Sequence, residues 1–379
     1  MSYVALAMLT GDRAKYLGLV FAIAFSTFLL ENQISIFSGI MKRTTSQIID
    51  VVDAPIWVMD PRTEYVDEVK PLTSNALLRV RGLPGVEWAV PLFKGMPRVQ
   101  APDGKFRTAI LMGLDDATLV GAPRQMLAGS IDDLQWPDGV IIDRAGYEFF
   151  FPDEPIAVGK VLEMNDRRAT IVGVAEASAP FTTFPVVFAR YTQAIRFVGP
   201  ERNLMSFILV KPRDGVSEGE MVRRIKQATG LRAARTLDFG DQTVRYYLRN
   251  TGIPVNFGIT IALAFVVGAV VAGQTFYLFT LDNLRHFGAL KALGTSDLRL
   301  TGMIVLQALT VALLGFAIGT GLCAIFFEIT LQRDATRGIV LLWQAVAATG
   351  VTMLIIVTLA SLLSIRRVLV LEPATVFRG

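Results

Sequence analysis

The chain has 379 residues, 52% of them hydrophobic and only 18% charged, whereas soluble domains carry about 25% charged residues; the apolar excess falls in blocks, which points to a bilayer rather than an oversized core. The formal net charge is +4, but no basic stripe interleaved with aromatics runs along the chain, so Lys and Arg mark membrane edges and no nucleic-acid partner is expected. A single cysteine, Cys323, excludes an internal disulfide, and a single histidine, His286, leaves no soft-ligand set for a transition metal.

In chain order, residues 1–15 are expected to form a cytoplasmic amphipathic N-terminal helix and residues 16–41 the first membrane span. The stretch 16–30 is uncharged, Glu31, Asn32 and Gln33 interrupt it, and apolar character resumes at 34–41. A secretory signal peptide also places cations such as Arg13 and Lys15 ahead of an apolar core. No small-x-small cleavage motif follows Leu30, so an uncleaved helix is expected.

Residues 42–252 read as a mixed α/β extracytoplasmic domain. Strand-forming runs lie at 56–59, 108–112, 139–142, 169–174 and 206–210, and Asn165-Asp166-Arg167-Arg168 reads as a hairpin turn. Helical patterning occurs at 74–81 and 217–229; in the latter Glu218 and Glu220 open the helix and Arg223, Arg224 and Lys226 close it, as the helix dipole favours. Residues 74–90 and 217–231 each read helix then strand, so two related lobes are expected, with the strand-rich middle as an insertion. The adjacent carboxylates Asp115, Asp116, Asp132 and Asp133 read as solvated loop faces. No histidine lies in this region, which rules out a Ser-His-Asp triad there, and no residue of the chain is assigned a catalytic role.

The stretches 250–281, 300–327 and 338–365 contain no Asp, Glu, Lys or Arg, and each exceeds the roughly 20 residues that a spanning helix needs. Spans are expected at 253–281, 300–328 and 339–365, with a short outer loop at 329–338 and a cytoplasmic tail at 366–379. Arg13, Lys15, Arg285, Lys291, Arg299, Arg366, Arg367 and Arg378 fall on one side; Lys42, Arg43, Arg333 and Arg337, partly balanced by Asp334, fall on the other. This bias puts both termini in the cytoplasm and the large domain outside the inner membrane.

Residues 282–299 then form a short cytoplasmic helix between two spans. Leu284, Phe287, Leu290 and Leu293 recur every three residues beside Arg285 and Lys291; Gly294 fits a helix stop, and Thr295 or Ser296 a following cap. Within the spans Glu31, Gln33, Gln274 and Gln307 are costly in hydrocarbon and are site candidates by that fact. Glu31 lies ~15 residues into the first span, about 22 Å along it, where snorkelling to outer water accounts for it. Ala269 with Gly273, and Gly315 with Gly319, are small-residue pairs that let helix backbones approach closely.

The run from Arg285 to Gly294 resembles the coupling signature of MacB/FtsX-like ABC permeases, with Phe287-Gly288 where Glu-Ile is usual. The tail Leu371-Glu372-Pro373-Ala374-Thr375-Val376-Phe377-Arg378 resembles that family's closing element, with Phe377 where Leu is usual, and Leu6-Ala7-Met8-Leu9 through Lys15 its N-terminal helix. One span, a large outside domain, then three spans is also its topology, so the resemblance covers the whole chain. Phe21-Ala22-Ile23-Ala24-Phe25 and Gln33 look most like the DevC-type exporter branch.

The resemblance implies a mechanotransmission exporter subunit. A separate ATPase would dock on Arg285, Phe287, Gly288, Leu290, Lys291, Ala292, Leu293 and Gly294, with Glu372 and Pro373 of the tail. Two permeases would pair as a homodimer, with span one or two at the seam, and a periplasmic adaptor and outer-membrane channel would complete the assembly. ATP and magnesium would belong to the ATPase. The chain itself lacks a phosphate-binding Gly-x-x-x-x-Gly-Lys-Ser/Thr: Gly104-Lys105 is followed by Phe106, and Gly159-Lys160 by Val161. The alternatives are an FtsX-like signalling subunit controlling a cell-wall hydrolase, and a membrane-anchored binding domain without an ATPase. The scaffold does not select a substrate.

Overall fold

The computed structural model describes residues 2–198, 205–330 and 337–369. The chain divides into two compact units, one of residues 1–39 and 252–379, the other of residues 40–251. In order come α1 (Ser2–Gly11), α2 (Arg13–Arg43), α3 (Ser46–Ile49), β1 (Ile56–Met59), α4 (Ser74–Arg81), β2 (Val86–Gly95), β3 (Arg98–Gln100), β4 (Phe106–Thr108), β5 (Ile110–Leu114), β6 (Gln125–Gly129), β7 (Gly139–Asp143) and α5 (Arg144–Phe150). They are followed by β8 (Val161–Met164), β9 (Arg167–Glu176), β10 (Val186–Arg190), α6 (Tyr191–Val198), β11 (Phe207–Pro212), α7 (Glu218–Thr229), β12 (Arg232–Arg235) and α8 (Thr236–Asn250). The last helices are α9 (Ile253–Asp282), α10 (Leu284–Ala292), α11 (Asp297–Thr330) and α12 (Trp343–Leu369).

In the 40–251 unit, β12, β1, β11 and β2 lie side by side and every pair is antiparallel. The chain order is β1-α4-β2 and, much later, β11-α7-β12, so the lobe is two β-α-β halves closed on each other. Ile56 and Val58 of β1, Val80 of α4, Ile208 and Val210 of β11, and Met221 and Ile225 of α7 share its buried core. The two helix-then-strand stretches are therefore halves of one lobe rather than separate lobes; a single helix on so few strands cannot close a core. On the other face of β1, the Trp57 ring meets Phe207 and Phe239 of α8 at 5.2 and 5.7 Å. Both faces of β1 are covered, which is why its sequence is unbroken apolar rather than alternating.

The segment between β2 and β11 continues the sheet in the order β2-β5-β10-β7-β9-β8-β3-β4, with β6 on β9. Its core gathers Val140, Ile142, Leu162, Ile171, Val187 and Phe197. The β8–β9 hairpin turns on Asn165 and Asp166, both left-handed with φ of 48° and 64°, as a two-residue turn of matching twist requires. The expected strand at 108–112 is instead the end of β4 and the start of β5, because the ladder partners change at Ala109: β4 pairs with β3, β5 with β2 and β10, and the Ala109 N–H bonds Pro97 O at 3.0 Å. Helix α7 is set by both ends: the Ser217 side chain accepts from Glu220 N, and Gly230 closes it at φ +69°.

One charge is sealed into this unit. The Lys94 ammonium of β2, 2% exposed, donates to the Asp67 carboxylate and to Val66 O at 3.1 Å, and the Tyr247 hydroxyl of α8 donates to Asp67 Oδ2 at 3.0 Å. Burial pushes the Lys94 ammonium below the ordinary lysine range, with Asp67 opposing it. Burial, then the Asp67 carboxylate, holds the Tyr247 phenol well above its usual range. Tyr65 stacks on Tyr246 with ring centroids 4.0 Å apart, so the loop after β1 is clasped to α8 by aromatic contact as well as by charge.

The remaining unit holds the four helices long and apolar enough to cross a membrane, α2, α9, α11 and α12. Of the most apolar window, 61% is buried in α2, against 17% in α9, 28% in α11 and 39% in α12; α2 is the most buried of the four, although Leu17, Phe21 and Phe25 leave one of its faces exposed. The contacts are close. A Cβ on Gly319 would lie 2.5 Å from Ala24 O and 2.6 Å from Thr27 Cβ, one on Gly315 2.7 Å from Ile23 Cβ, and one on Gly268 2.6 Å from Ser26 Oγ. Helix α1 lays Ala5 and Leu9 into the same core while Tyr3, Val4 and Leu6 face outward. It is apolar all round, not amphipathic as expected, because its ten residues carry no charge.

Gly319→Ala is expected to destabilise the bundle by about 1–3 kcal/mol through overpacking. Gly321→Ala, at a position with nothing within 4 Å of the added methyl, is expected to be neutral; thermal unfolding of the purified protein in detergent compares the two. In the other unit, Asp67→Leu leaves Lys94 buried without a counter-charge and is expected to cost about 3–5 kcal/mol, most of it recovered by Asp67→Leu/Lys94→Met, read from the denaturant midpoint.

Candidate functional site

Helix α10 is nine residues long and sits between two apolar helices, with one residue before it and four after. Its last turn explains its shape. Gly294 at φ +88° receives the chain, its N–H bonds Lys291 O at 3.0 Å, and Thr295 N–H bonds Leu290 O at 3.1 Å. This is the paired closure of a Schellman stop, which satisfies carbonyls the helix would otherwise leave open. The chain restarts at once: Arg299 N and Leu300 N bond Ser296 O at 3.0 and 3.1 Å, and Asp297 sits in the first turn of α11. Lys291 Nζ reaches back across the turn to Asp297 Oδ1 at 3.1 Å.

The candidate residues divide by exposure. Phe287 and Gly288 are buried, with Phe287 in the helical core and Leu284 and Leu290 packed partly against it. Arg285, His286, Ala292 and Gly294 are exposed. Leu293 is 83% exposed and Leu298, across the turn, 82%. Leu293 does not continue the stripe of Leu284, Phe287 and Leu290, because a three-residue step falls short of a 3.6-residue turn by about 60° each time. After three steps the side chain has rotated to the opposite face. Glu372 and Pro373 lie outside the described residues.

The same end of the bundle is braced by charge. Lys15 of α2 pairs with Asp282 at the end of α9, and with Asp12 at 3.0 Å; Asp12 also caps α2 by accepting from Lys15 N at 3.2 Å. An open groove of about 580 Å³ beside this pair is lined by Tyr3, Val4, Met8, Asp12, Asn283 and His286.

The polar residues of the spans take different places. Gln307 is buried and donates to Ala5 O of α1 at 2.8 Å, which tethers the N-terminal helix. Gln33 is half-buried and Gln274 exposed. Glu31 does not snorkel: it is fully buried, and Oε1 accepts from Thr320 Oγ1 at 2.8 Å. Gly315 and Gly319 face α2 of the same chain, whereas Gly273 has nothing within 4 Å of an added Cβ, with Ala269 packed partly against the core. Sequence reasoning missed Asp297, Leu298 and Thr320. Asp297 lies across a glycine turn from Lys291, a spacing that pairs only once the turn has a shape, and Thr320 follows a glycine of the close seam.

A MacB-like periplasmic core domain family matches residues 16–228, and the FtsX-like permease C-terminal family matches residues 258–373. The chain is 25% identical over 238 residues to an uncharacterized ABC transporter permease of Mycobacterium tuberculosis (strain CDC 1551 / Oshkosh), over 60% of this chain and 62% of that protein. It is 32% identical over 124 residues to an uncharacterized ABC transporter permease of Mycobacterium bovis (strain ATCC BAA-935 / AF2122/97), over 32% of this chain and 33% of that one. The chain thus spans less than two thirds of the length of these relatives. Among solved structures, the periplasmic region of MacB from Actinobacillus actinomycetemcomitans superposes with a TM-score of 0.38 at 15% identity, over 52% of this chain and 92% of that one.

Gly294→Ala is expected to cost about 1–2 kcal/mol, because the added methyl meets open space and the whole penalty is the left-handed backbone. Gly302→Ala, an open helical glycine of α11, is the control in the same thermal unfolding measurement and is expected to lose nothing.

Proposed function

The chain belongs to the MacB/FtsX-type ABC transporter permeases, and from that premise we propose that it is the membrane subunit of an exporter whose ATPase docks on the α10–α11 turn. A membrane permease of this family has four apolar helices and a large domain outside. The observation that carries the docking reading is the pair Leu293 and Leu298, each more than four-fifths exposed on either side of a rigid glycine stop. Exposed large apolar side chains on a polar-rimmed tip suit a protein partner, and here Arg285 and His286 supply the rim. The turn joins α9 to α11 with almost no slack, so a push on it is delivered into both helices.

The rest of the assembly follows the family. ATP and magnesium belong to the ATPase subunit, both termini and α10 are cytoplasmic, and the 40–251 unit is outside the inner membrane. A second copy of the permease pairs with the first; the sparse burial of α9 and the open face at Gly273 favour α9 at that seam. A periplasmic adaptor and an outer-membrane channel complete the path for an exporter of DevC type.

Leu293→Asp/Leu298→Asp is expected to weaken retention of the ATPase roughly thirtyfold, the loss of a hot spot of about 2 kcal/mol, while the permease still reaches the membrane. Lys291→Glu is expected to uncouple ATP hydrolysis from export by repelling Asp297, and Lys291→Glu/Asp297→Lys to restore it. Full ATPase retention by the aspartate variant removes the docking reading. Labelling of Leu298→Cys in a Cys323→Ala chain by an impermeant reagent added to intact cells removes the orientation. Co-purification of a cell-wall hydrolase in place of an adaptor assigns the scaffold to signalling.

A further inference from the structure

Along α2, Thr27, Glu31 and Ser35 are spaced at i, i+4 and i+8, so they lie on one face of the helix about 6 Å apart along its axis. All three are fully buried. This face meets α11: Thr27 packs on Gly319, and Glu31 takes the Thr320 hydroxyl hydrogen on Oε1 at 2.8 Å. The remaining polar atoms of the file, Thr27 Oγ1, Glu31 Oε2 and Ser35 Oγ, have no hydrogen-bond partner among the described residues, and neither does Asn32 Nδ2 beside them. A seam made only to hold two helices together is served by small apolar residues; a row of unsatisfied polar atoms is a standing cost that packing does not explain.

Among the described residues Glu31 has no ion-pair partner, and its one polar partner is Thr320. Asp297 and Arg299 lie at the start of α11 and Asp282 at the end of α9, the end of the bundle where Lys15 sits; nearer Glu31 along these helices the ionisable groups are Cys323 and Glu328 of α11 and Tyr277 of α9. Of these, Cys323, one turn beyond Thr320, is buried, Tyr277 is partly buried and Glu328 is exposed. On α2 itself, Lys42 and Arg43 lie three turns away along the helix. A carboxylate in such a place is far costlier than its neutral acid.

We propose that Glu31 is a proton-binding site within the helical bundle, holding a proton while the α2–α11 seam is closed and releasing it when the seam opens to water. The ligand is a proton and the carrier is the carboxyl, with Thr320 fixing its orientation and the Thr27 and Ser35 hydroxyls forming the polar file beside it. Opening of the bundle is thereby linked to pH: acid favours the closed seam and alkali the open one. The proposal depends on these helices crossing a bilayer and stands or falls independently of the docking role of α10.

The experiment is carbodiimide modification of the full chain in lipid vesicles, read by mass spectrometry of the Glu31 peptide. An apolar carbodiimide reacts with a protonated carboxyl within a membrane, and a water-soluble one with carboxyls at the surface. The expected result is an adduct at Glu31 from dicyclohexylcarbodiimide but not from the soluble reagent, its yield falling roughly tenfold per pH unit above the titration midpoint. Glu31→Gln is expected to carry no adduct there. The rate at which the chain's one cysteine, Cys323, is labelled by a small thiol reagent reports seam opening; the wild-type rate divided by that of Glu31→Gln is expected to rise with pH. Absence of an adduct at Glu31 at every pH overturns the proposal, as does an adduct that ignores pH or forms equally with the soluble reagent. The wild-type measurement decides the matter even where the variant fails to fold.

Discussion

Two glycines one turn apart on α11 set how this bundle is built. Gly315 and Gly319 have no Cβ, so α2 comes to rest with Ala24 O and Thr27 where side chains would otherwise be. Close backbone approach of this kind is how membrane helices gain packing when lipid is as apolar as their own side chains. The consequence is that the face of α2 bearing Thr27, Glu31 and Ser35 is enclosed, while Leu17, Phe21 and Phe25 on the same helix stay exposed. The outer faces of α9, α11 and α12, rich in Val, Leu and Ile, are exposed.

That enclosure gives Glu31 its character. A glutamate in the outer half of a lone helix would extend to water; on the face pressed against α11 it has no route out. The same contact therefore stabilises the bundle and creates its most costly group. Glu31 also sits midway along a file of hydroxyls on the seam that must change first if the helices separate, which ties its protonation to the bundle's conformation.

The 40–251 unit solves a different problem. With no disulfide available to it, it relies on burial: β1 is covered on both faces, two β-α-β halves complete one core, and the inserted strands extend the sheet from β2. Its sealed pair, Lys94 and Asp67, contributes specificity more than net energy, since both charges are taken out of water. Tyr247 and the stacked Tyr65 and Tyr246 direct that specificity at α8, the helix that immediately precedes α9 in the chain.

Much of this was legible along the chain. Uncharged stretches beyond twenty residues announce spanning helices because a bilayer has a fixed thickness. The run from Arg285 to Gly294 announces a short helix and its stop because only glycine takes a left-handed backbone without strain. Buried strands such as β1 show as unbroken apolar runs. These are local properties, in which a residue's type and its near neighbours suffice. The sequence could not say that Leu293 leaves the stripe to stand in solvent beside Leu298, that Lys291 pairs with Asp297, that the two helix–strand stretches share one lobe, or that Glu31 lies against Thr320, 289 residues away. Those outcomes depend on which helix faces meet and on how a turn aims the chain. They are decided by packing between distant segments, which no local pattern encodes.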